Sequence, residues 1–324
     1  MRVLVTGGAG FIGSATAAAL RDAGHDVVCA DDLSRGRADV VPDGVPLEVV
    51  DVTDAAALEP LLAAGRFEAC LHFAALIEVG DSMARPEAYF LTNTAGTTVL
   101  LDALLRHGVE RFVFSSTAAT YGEPERTPID EEHPQRPTNP YGESKLMTER
   151  MLGWLHERRG LRSASLRYFN AAGAVGRHGE RADAHQTQLI PVALMAVTGQ
   201  RPPLKVFGTD WPTPDGTCVR DYIHVADLAD AHVRALDAVD REGLVRVNLG
   251  NGHGSSVREV LDAVERATGR HVPHTDEPRR PGDPAVLIAS ADRARAVLGW
   301  EPTRDLDRIV GDAWAHLERG VAPA

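Results

Sequence analysis

The chain has 324 residues, 25% of them charged, and a formal net charge of -12 with no extended Lys/Arg block. That balance weighs against a duplex nucleic-acid surface or a polybasic membrane anchor, so an anionic ligand would need a local basic pocket. No apolar run reaches the roughly 20 residues that cross a bilayer, and the chain opens on a strand pattern rather than a basic, apolar, cleavable leader; a cytoplasmic protein with no nucleic-acid and no membrane partner is expected.

The first half alternates short apolar runs with longer helical patterns. Residues 3–5 predict a strand, and residues 12–22 a helix with Ile12, Ala15, Ala19 and Leu20 on its inner face. Between them runs Thr6-Gly7-Gly8-Ala9-Gly10-Phe11-Ile12-Gly13. Gly7, Gly10 and Gly13 permit a sharp turn and bring backbone amides against a pyrophosphate, whose charge is favoured at a helix N-terminus, so the segment predicts a dinucleotide cradle. Residues 27–30 predict the next strand, ending at Asp31. Its carboxylate can accept hydrogen bonds from an adenosine ribose and would repel a 2′-phosphate, which favours NAD over NADP. Asp32 could share or take that role, and an ordinary acidic turn near Arg35 and Arg37 is the alternative. Residues 47–50 predict a strand ending at Asp51-Val52, where the pair would border the adenine or Asp51 would cap a helix over 54–64. Strands over 69–73 and 111–114 and a helix over 94–106 complete an α/β pattern, a Rossmann-type doubly wound parallel sheet.

Two clusters carry chemistry. Ser115-Ser116-Thr117 follows a strand exit, where a hydroxyl can bond a substrate hydroxyl or carbonyl and relay its proton, or simply cap a turn. Tyr141 and Lys145 follow Pro140 in a helical pattern over 141–156, and their spacing of four puts both on one face. The lysine charge would favour tyrosinate, lowering a phenol pKa ordinarily about 10 and making Tyr141 a general acid and base. On its own such a pair reads more often as helix surface; the upstream dinucleotide turn gives it redox meaning.

Beyond residue 170 the pattern changes. Residues 173–186 read as a long loop, 189–197 as a helix, and 201–219 as short elements broken by Pro and Gly, which suits a smaller mixed α/β substrate lobe. A strand over 245–249 is expected to return to the large sheet, followed by a helix over 256–267. The expected division is residues 1–170, with part of 219–250, for the cofactor, and 171–324 mainly for substrate. Cys29, Cys70 and Cys218 form no CxxC or zinc pattern and read as reduced thiols. His178, His185, His271 and His274 belong to no HExxH or compact cluster, so no metal is expected.

Further segments narrow the reading: Phe114-Ser115-Ser116-Thr117-Ala118-Ala119-Thr120-Tyr121-Gly122, Pro140-Tyr141-Gly142-Glu143-Ser144-Lys145, Leu166-Arg167-Tyr168-Phe169-Asn170, residues 215–225 and Arg280-Pro281-Gly282-Asp283. With the glycine turn they resemble, over nearly the whole chain, the extended short-chain dehydrogenase/reductase superfamily and within it the UDP-glucose 4-epimerase family. The resemblance implies reversible exchange of UDP-glucose and UDP-galactose through a transient 4-keto sugar, with bound NAD and a homodimer. It implies that Tyr141 takes the proton of the sugar 4-hydroxyl, Lys145 holds the nicotinamide ribose, and Thr117 orients the hydroxyl. The same resemblance assigns Gly10, Phe11, Ile12, Phe73, Ala74 and Ala75 to the cofactor channel, bordered by Asn93, Ser115 and Tyr168. It assigns Asn170, Gln188, Leu189, Lys205, Phe207, Arg220, Tyr222, Arg280 and Asp283 to the nucleotide-sugar pocket. Arg220 and Arg280 can pair with pyrophosphate there, and Phe207 can pack against uracil.

The chain departs from that pattern at several points. Thr117 stands where many members have serine, Ile77 where many have a lysine on the cofactor pyrophosphate, and Gln188 where some have asparagine. The same resemblance aligns Leu287 approximately with a gate beside the sugar C2 substituent, where a tyrosine in family members accompanies restriction to UDP-glucose and UDP-galactose and small residues admit N-acetylated sugars. Leucine is intermediate, so N-acetylated UDP-hexoses stay open as substrates, and membership of a buried strand is the alternative for Leu287. A dehydratase is disfavoured because Thr117-Ala118 replaces an Asp-Glu pair, and a silent nucleotide-binding regulator because Tyr141 and Lys145 are intact.

Overall fold

The structure, a computed structural model, describes residues 1–183, 186–280 and 282–321; His185 and Pro281 lie outside the described residues. Its centre is a parallel sheet of Arg2–Thr6 (β1), Asp26–Asp31 (β2), Leu47–Val49 (β3), Ala69–His72 (β4), Arg111–Thr117 (β5), Arg162–Tyr168 (β6) and Leu244–Leu249. Across the sheet the order is Leu244–Leu249, β6, β5, β4, β1, β2, β3. The winding reverses between β1 and β4, so a crevice opens there at the carboxyl ends of the strands.

Successive strand residues point to opposite faces, and both faces are apolar. Val3, Val5, Leu71 and Val113 pack on one side with Ala17 and Leu20 of helix Phe11–Asp22 and with Leu228 and Leu236 of helix Val225–Glu242. Leu4, Cys70, Phe112 and Phe114 pack on the other with Leu58, Leu62, Leu100, Leu104 and Leu152. Each such aliphatic side chain contributes roughly 1.5–3 kcal/mol on burial, so the sheet is a stiff platform for what its strand ends carry. Cys29 and Cys70 lie within these strands, and all three cysteines are free thiols.

Several boundaries differ from the sequence reading. Asp51 does not cap the next helix: it accepts from the Thr53 N–H at 2.8 Å. Asp54 caps helix Ala55–Gly65 instead, because its carboxylate reaches the N–H groups of Ala56 and Ala57. The helix expected over 94–106 is entered through a π-helical segment, Phe90–Gly96, before Thr97–Arg106. The expected loop over 173–186 contains a short hairpin, Ala174–Val175 with His178–Gly179. Strand Val219–His224 ties the later segments together, pairing with Asn170–Ala172, Gly254–Ser256 and Val286–Leu287. A third core, including Ile190, Leu194, Val206, Val260 and Ile309, lies beneath these short elements.

Candidate active site

The glycine turn leaves β1 and enters helix Phe11–Asp22, whose N-terminus has no side-chain cap. Gly7 has φ +70°, and a Cβ there would stand 2.5 Å from the Ala74 nitrogen. A Cβ on Gly13 would meet the Gly7 carbonyl oxygen at 2.1 Å. The turn is therefore wound against the exit of β4, and only glycine fits. Its uncapped first-turn amides, in the crevice where the winding reverses, have the form of an anion cradle.

Asp31 closes β2 beneath this turn and is 7% exposed. Its carboxylate accepts from the N–H groups of Ala9 at 3.0 Å and Leu33 at 2.9 Å, which fixes the cradle to the strand. Burial raises its pKa and those hydrogen bonds oppose the rise. A carboxylate has about four acceptor positions, so capacity remains for ribose hydroxyls. Asp32 is exposed and accepts from Ser34. Arg35 pairs with Glu78, and Arg37 pairs with Asp39. The cradle, the uncapped helix and the buried carboxylate fit a dinucleotide.

The catalytic candidates meet at the carboxyl end of β5. Helix Pro140–Arg159 starts at Asn139, which accepts from the Gly142 N–H. Lys145, 2% exposed, donates from Nζ to the Ser115 carbonyl at 2.9 Å. Its Nζ lies 4.9 Å from the Phe114 ring centroid and 6.0 Å from that of Tyr141. With no carboxylate beside it, burial lowers this ammonium to about 7. The neighbouring Thr117 side chain acts to lower the Tyr141 phenol, but burial outweighs it and pushes Tyr141 up to about 12. The expected lowering by Lys145 is thus not what the isolated chain displays: desolvation acts on both groups, and Glu78 adds a negative charge that also raises the phenol. Thr117 accepts from the Ala119 N–H at 3.1 Å.

The surrounding candidates have mixed positions. Ser115 and Tyr168 share a short hydroxyl contact, and Tyr168 is also packed in the sheet core. Phe73 donates its N–H to the Thr6 carbonyl, and its ring lies tilted against His232 with centroids 4.8 Å apart. The Asn93 amide clasps both the N–H and the carbonyl of Leu76 and donates to the Ser144 hydroxyl at 3.1 Å. It therefore joins the loop after β4 to the Tyr141 helix.

The sugar-side candidates gather on the later short elements. Asn170 donates to the Asp221 carbonyl at 3.1 Å, with Tyr222 opposite it in register. Arg220 lies 3.9 Å from Asp283, and Leu287 is its strand partner. The Arg280 guanidinium stands 3.8 Å from the Phe207 ring centroid. Lys205 is exposed, 3.8 Å from Glu277. Gln188 is exposed at the start of helix Leu189–Val197, and Leu189 is half-buried.

Residues 3–250 match the model of the NAD dependent epimerase/dehydratase family. The chain is 52% identical to a UDP-glucose 4-epimerase of Azospirillum brasilense, covering 100% of this chain and 94% of that protein. The chain belongs to the UDP-glucose 4-epimerases. A Corynebacterium glutamicum UDP-glucose 4-epimerase is 49% identical, with 97% of this chain and 95% of the relative covered. The crystal structure of the Stenotrophomonas maltophila UDP-glucose-4-epimerase with bound NAD and formylated UDP-arabinopyranose superposes with a TM-score of 0.95 at 39% identity, covering 99% and 100% of the two chains. The Brucella ovis UDP-glucose 4-epimerase in complex with NAD gives 0.94 at 44% identity over 97% and 98%.

In this epimerase, Ile77 is 56% exposed and Arg35 is the nearby cation, already paired with Glu78. Three supports of the site escaped sequence reasoning. Buried His72 bridges the hydroxyls of Thr6 and Thr97 at 2.6 and 2.9 Å, and burial lowers its pKa to about 3, so it stays neutral. Tyr89 stands edge-on to Tyr141, 6.4 Å between centroids, and donates to the Glu78 carbonyl. The third is a buried ion pair: Arg167 reaches Glu149 at 2.6 Å, Glu149 accepts from Ser116 at 2.5 Å, and Arg167 donates to Tyr121 at 2.8 Å. Glu149 falls one helical turn beyond Lys145, the one sequence signal that could have placed it here.

Proposed function

We propose that this protein interconverts UDP-glucose and UDP-galactose at C4, with Tyr141 as the proton-transferring group. The supporting observation is Tyr141, next to Thr117 and with buried Lys145 Nζ 6.0 Å from its ring, at the carboxyl ends of the strands that also carry the dinucleotide cradle. NAD, when bound, supplies a hydride acceptor and donor for sugar C4. Gly7, Gly10, Phe11, Ile12, Gly13 and Asp31 would hold it, with Phe73, Ala74 and Ala75 along its channel and Asp32, Asp51 and Val52 toward the adenosine end. Lys145 would hold the nicotinamide ribose.

Tyr141 acts from its phenolate form, accepting the O4 proton as the C4–O double bond forms and returning it when the C4–H bond is remade on the opposite face. Thr117 orients O4, and Lys145, while protonated, adds positive charge beside the phenolate. Arg220 and Arg280 anchor the pyrophosphate, Phe207 packs on uracil, and Asn170 orients the donor, so the UDP end stays fixed while the hexose turns. The division of labour follows: residues 1–170, with part of 219–250, carry the cofactor and 171–324 mainly carry UDP-sugar.

A cytoplasmic homodimer completes the proposal. Leu91 and Trp154 are 65% and 62% exposed on neighbouring segments of the Tyr141 side, an apolar surface that suits a second copy. Leu287, half-buried and paired with Arg220, supports a second reading in which N-acetylated UDP-hexoses are also accepted. Incubation of purified protein with separate UDP-sugars, following C4 inversion and bound-cofactor absorbance, tests the proposal; bound NAD without inversion of any UDP-sugar would overturn it.

A further inference from the structure

A second cavity, of about 160 Å³, lies between the turn at residues 174–176, the junction of strand Val219–His224 with helix Val225–Glu242, and helix Leu306–Val321. Its wall is basic: three arginines, Arg304, Arg308 and Arg319, line it with one carboxylate, Asp312, and with His224. The sequence builds this wall by spacing. Positions 308, 312, 315 and 319 recur at intervals of four, three and four on one helix, which puts them on one face, and the small Ala315 leaves room between the two long arginines.

The charges do not cancel. Arg308 donates to Asp312 at 2.6 Å, and Arg304 donates to Asp227, behind the wall, at 2.5 Å. Arg319 donates to the neutral carbonyl of Gly176 at 2.8 Å and has no acidic partner among the described residues. His224 is 1% exposed; its Nδ1 accepts from the Ala226 N–H, so Nε2 carries the proton and donates to Asp312 at 3.2 Å. Burial keeps this imidazole below its usual pKa and therefore neutral near pH 7. Among the described residues, three guanidiniums against two carboxylates leave one positive charge, and each planar fork has N–H groups beyond those already engaged.

We propose that this cavity binds a phosphate-bearing small molecule, its phosphate held between Arg308 and Arg319. Guanidinium forks match phosphate oxygens in pairs, and a space of this size holds a phosphate with several attached atoms, since one water needs roughly 10–15 Å³ on the same measure. The site lies at the His224 end of a strand whose other end carries Arg220, about 13 Å away along the strand, so it is separate from the nucleotide-sugar pocket. The bound phosphate would clamp the Gly176 turn, which continues from the Asn170 strand, to the C-terminal helix.

The test uses protein saturated with NAD and UDP, so that its other phosphate-recognising sites are filled. Inorganic phosphate and glycerol 3-phosphate are titrated separately at constant ionic strength, with binding heat and melting temperature as readouts. Saturable binding of one equivalent with a rise in melting temperature is expected, weakened at least tenfold in Arg308→Gln/Arg319→Gln. Tighter binding of the monoester identifies a phosphorylated metabolite as the ligand, and equal binding identifies free phosphate. No saturable binding, or equal affinity in the double variant, overturns the proposal. Should the double variant not fold, Arg319→Gln alone decides by whether affinity falls.

Discussion

Lys145 offers the sharpest quantitative prediction because its charge is buried without an acidic partner. Burial lowers its pKa from 10.5 to about 7. At 1.36 kcal/mol per unit, that shift corresponds to a cost of about 5 kcal/mol for holding the ammonium in the folded, cofactor-free protein. The folded pKa lies below the unfolded one, so between pH 7 and 10.5 the unfolded chain binds more protons. Stability therefore rises with pH across that window, and the full penalty applies below it. Lys145→Met removes the charge; the lost hydrogen bond to Ser115 and the ring contact with Phe114 take back about 1–2 kcal/mol. The variant is expected to be about 3 kcal/mol more stable than the parent at pH 6, with the gap closing toward pH 10, while turnover is lost. Urea unfolding of NAD-free protein at pH 6, 8 and 10 measures this difference. Parallel curves, or a variant less stable than the parent at pH 6, would refute the reasoning. Lys145→Arg is the control: a guanidinium keeps its proton throughout this range, so the penalty persists with no relief toward pH 10.

Tyr141→Phe should lower kcat by roughly 100- to 10,000-fold while retaining bound NAD, as single-turnover kinetics and cofactor absorbance would reveal; unchanged steady-state epimerisation would sink the assigned role. Glu149→Gln leaves Arg167, whose side chain is 3% exposed, without its counter-charge, and is expected to cost about 3–5 kcal/mol in urea unfolding. A paired Glu149→Leu/Arg167→Met variant should recover much of that loss; a single-variant cost below about 1 kcal/mol would show the pair to be solvated. Leu287→Tyr should raise KM selectively for N-acetylated UDP-hexoses if they are substrates, and equal effects on acetylated and plain sugars would remove Leu287 from the specificity role.

The parts legible in the sequence are those fixed by local sterics and periodicity. Gly7 and Gly13 could be read because a strand–turn–helix passage that brings backbones this close tolerates no Cβ. The Tyr141 and Lys145 face could be read because a helix repeats every 3.6 residues. The strand over 245–249 could be read from Val245, Val247 and Leu249 at every second position, and the structure places it beside β6. By contrast, His72 acquires its role from Thr6, 66 residues away, and Asn93 from Ser144, 51 residues away. No local pattern encodes such partners. The pKa of Tyr141 was misread for a related reason: spacing gave the neighbour but not the desolvation around both groups, and desolvation dominates.

The chemistry of Lys145 also gains meaning from what the chain uses elsewhere. Of its 34 basic Lys and Arg residues only Lys145 and Lys205 are lysines, and Lys205 is exposed. Arginine supplies the buried ion pair at Glu149, the cations at 220 and 280, and the wall of the second cavity. At those places a permanent charge and a planar fork are useful. Beneath Tyr141 a single carbonyl and an aromatic face receive the cation, which suits a compact ammonium better than a fork, and burial without a carboxylate favours a group able to shed its proton. Lysine meets both conditions. The residue that makes the free site costly to fold is thus the one whose charge can vary at neutral pH, where arginine would fix it.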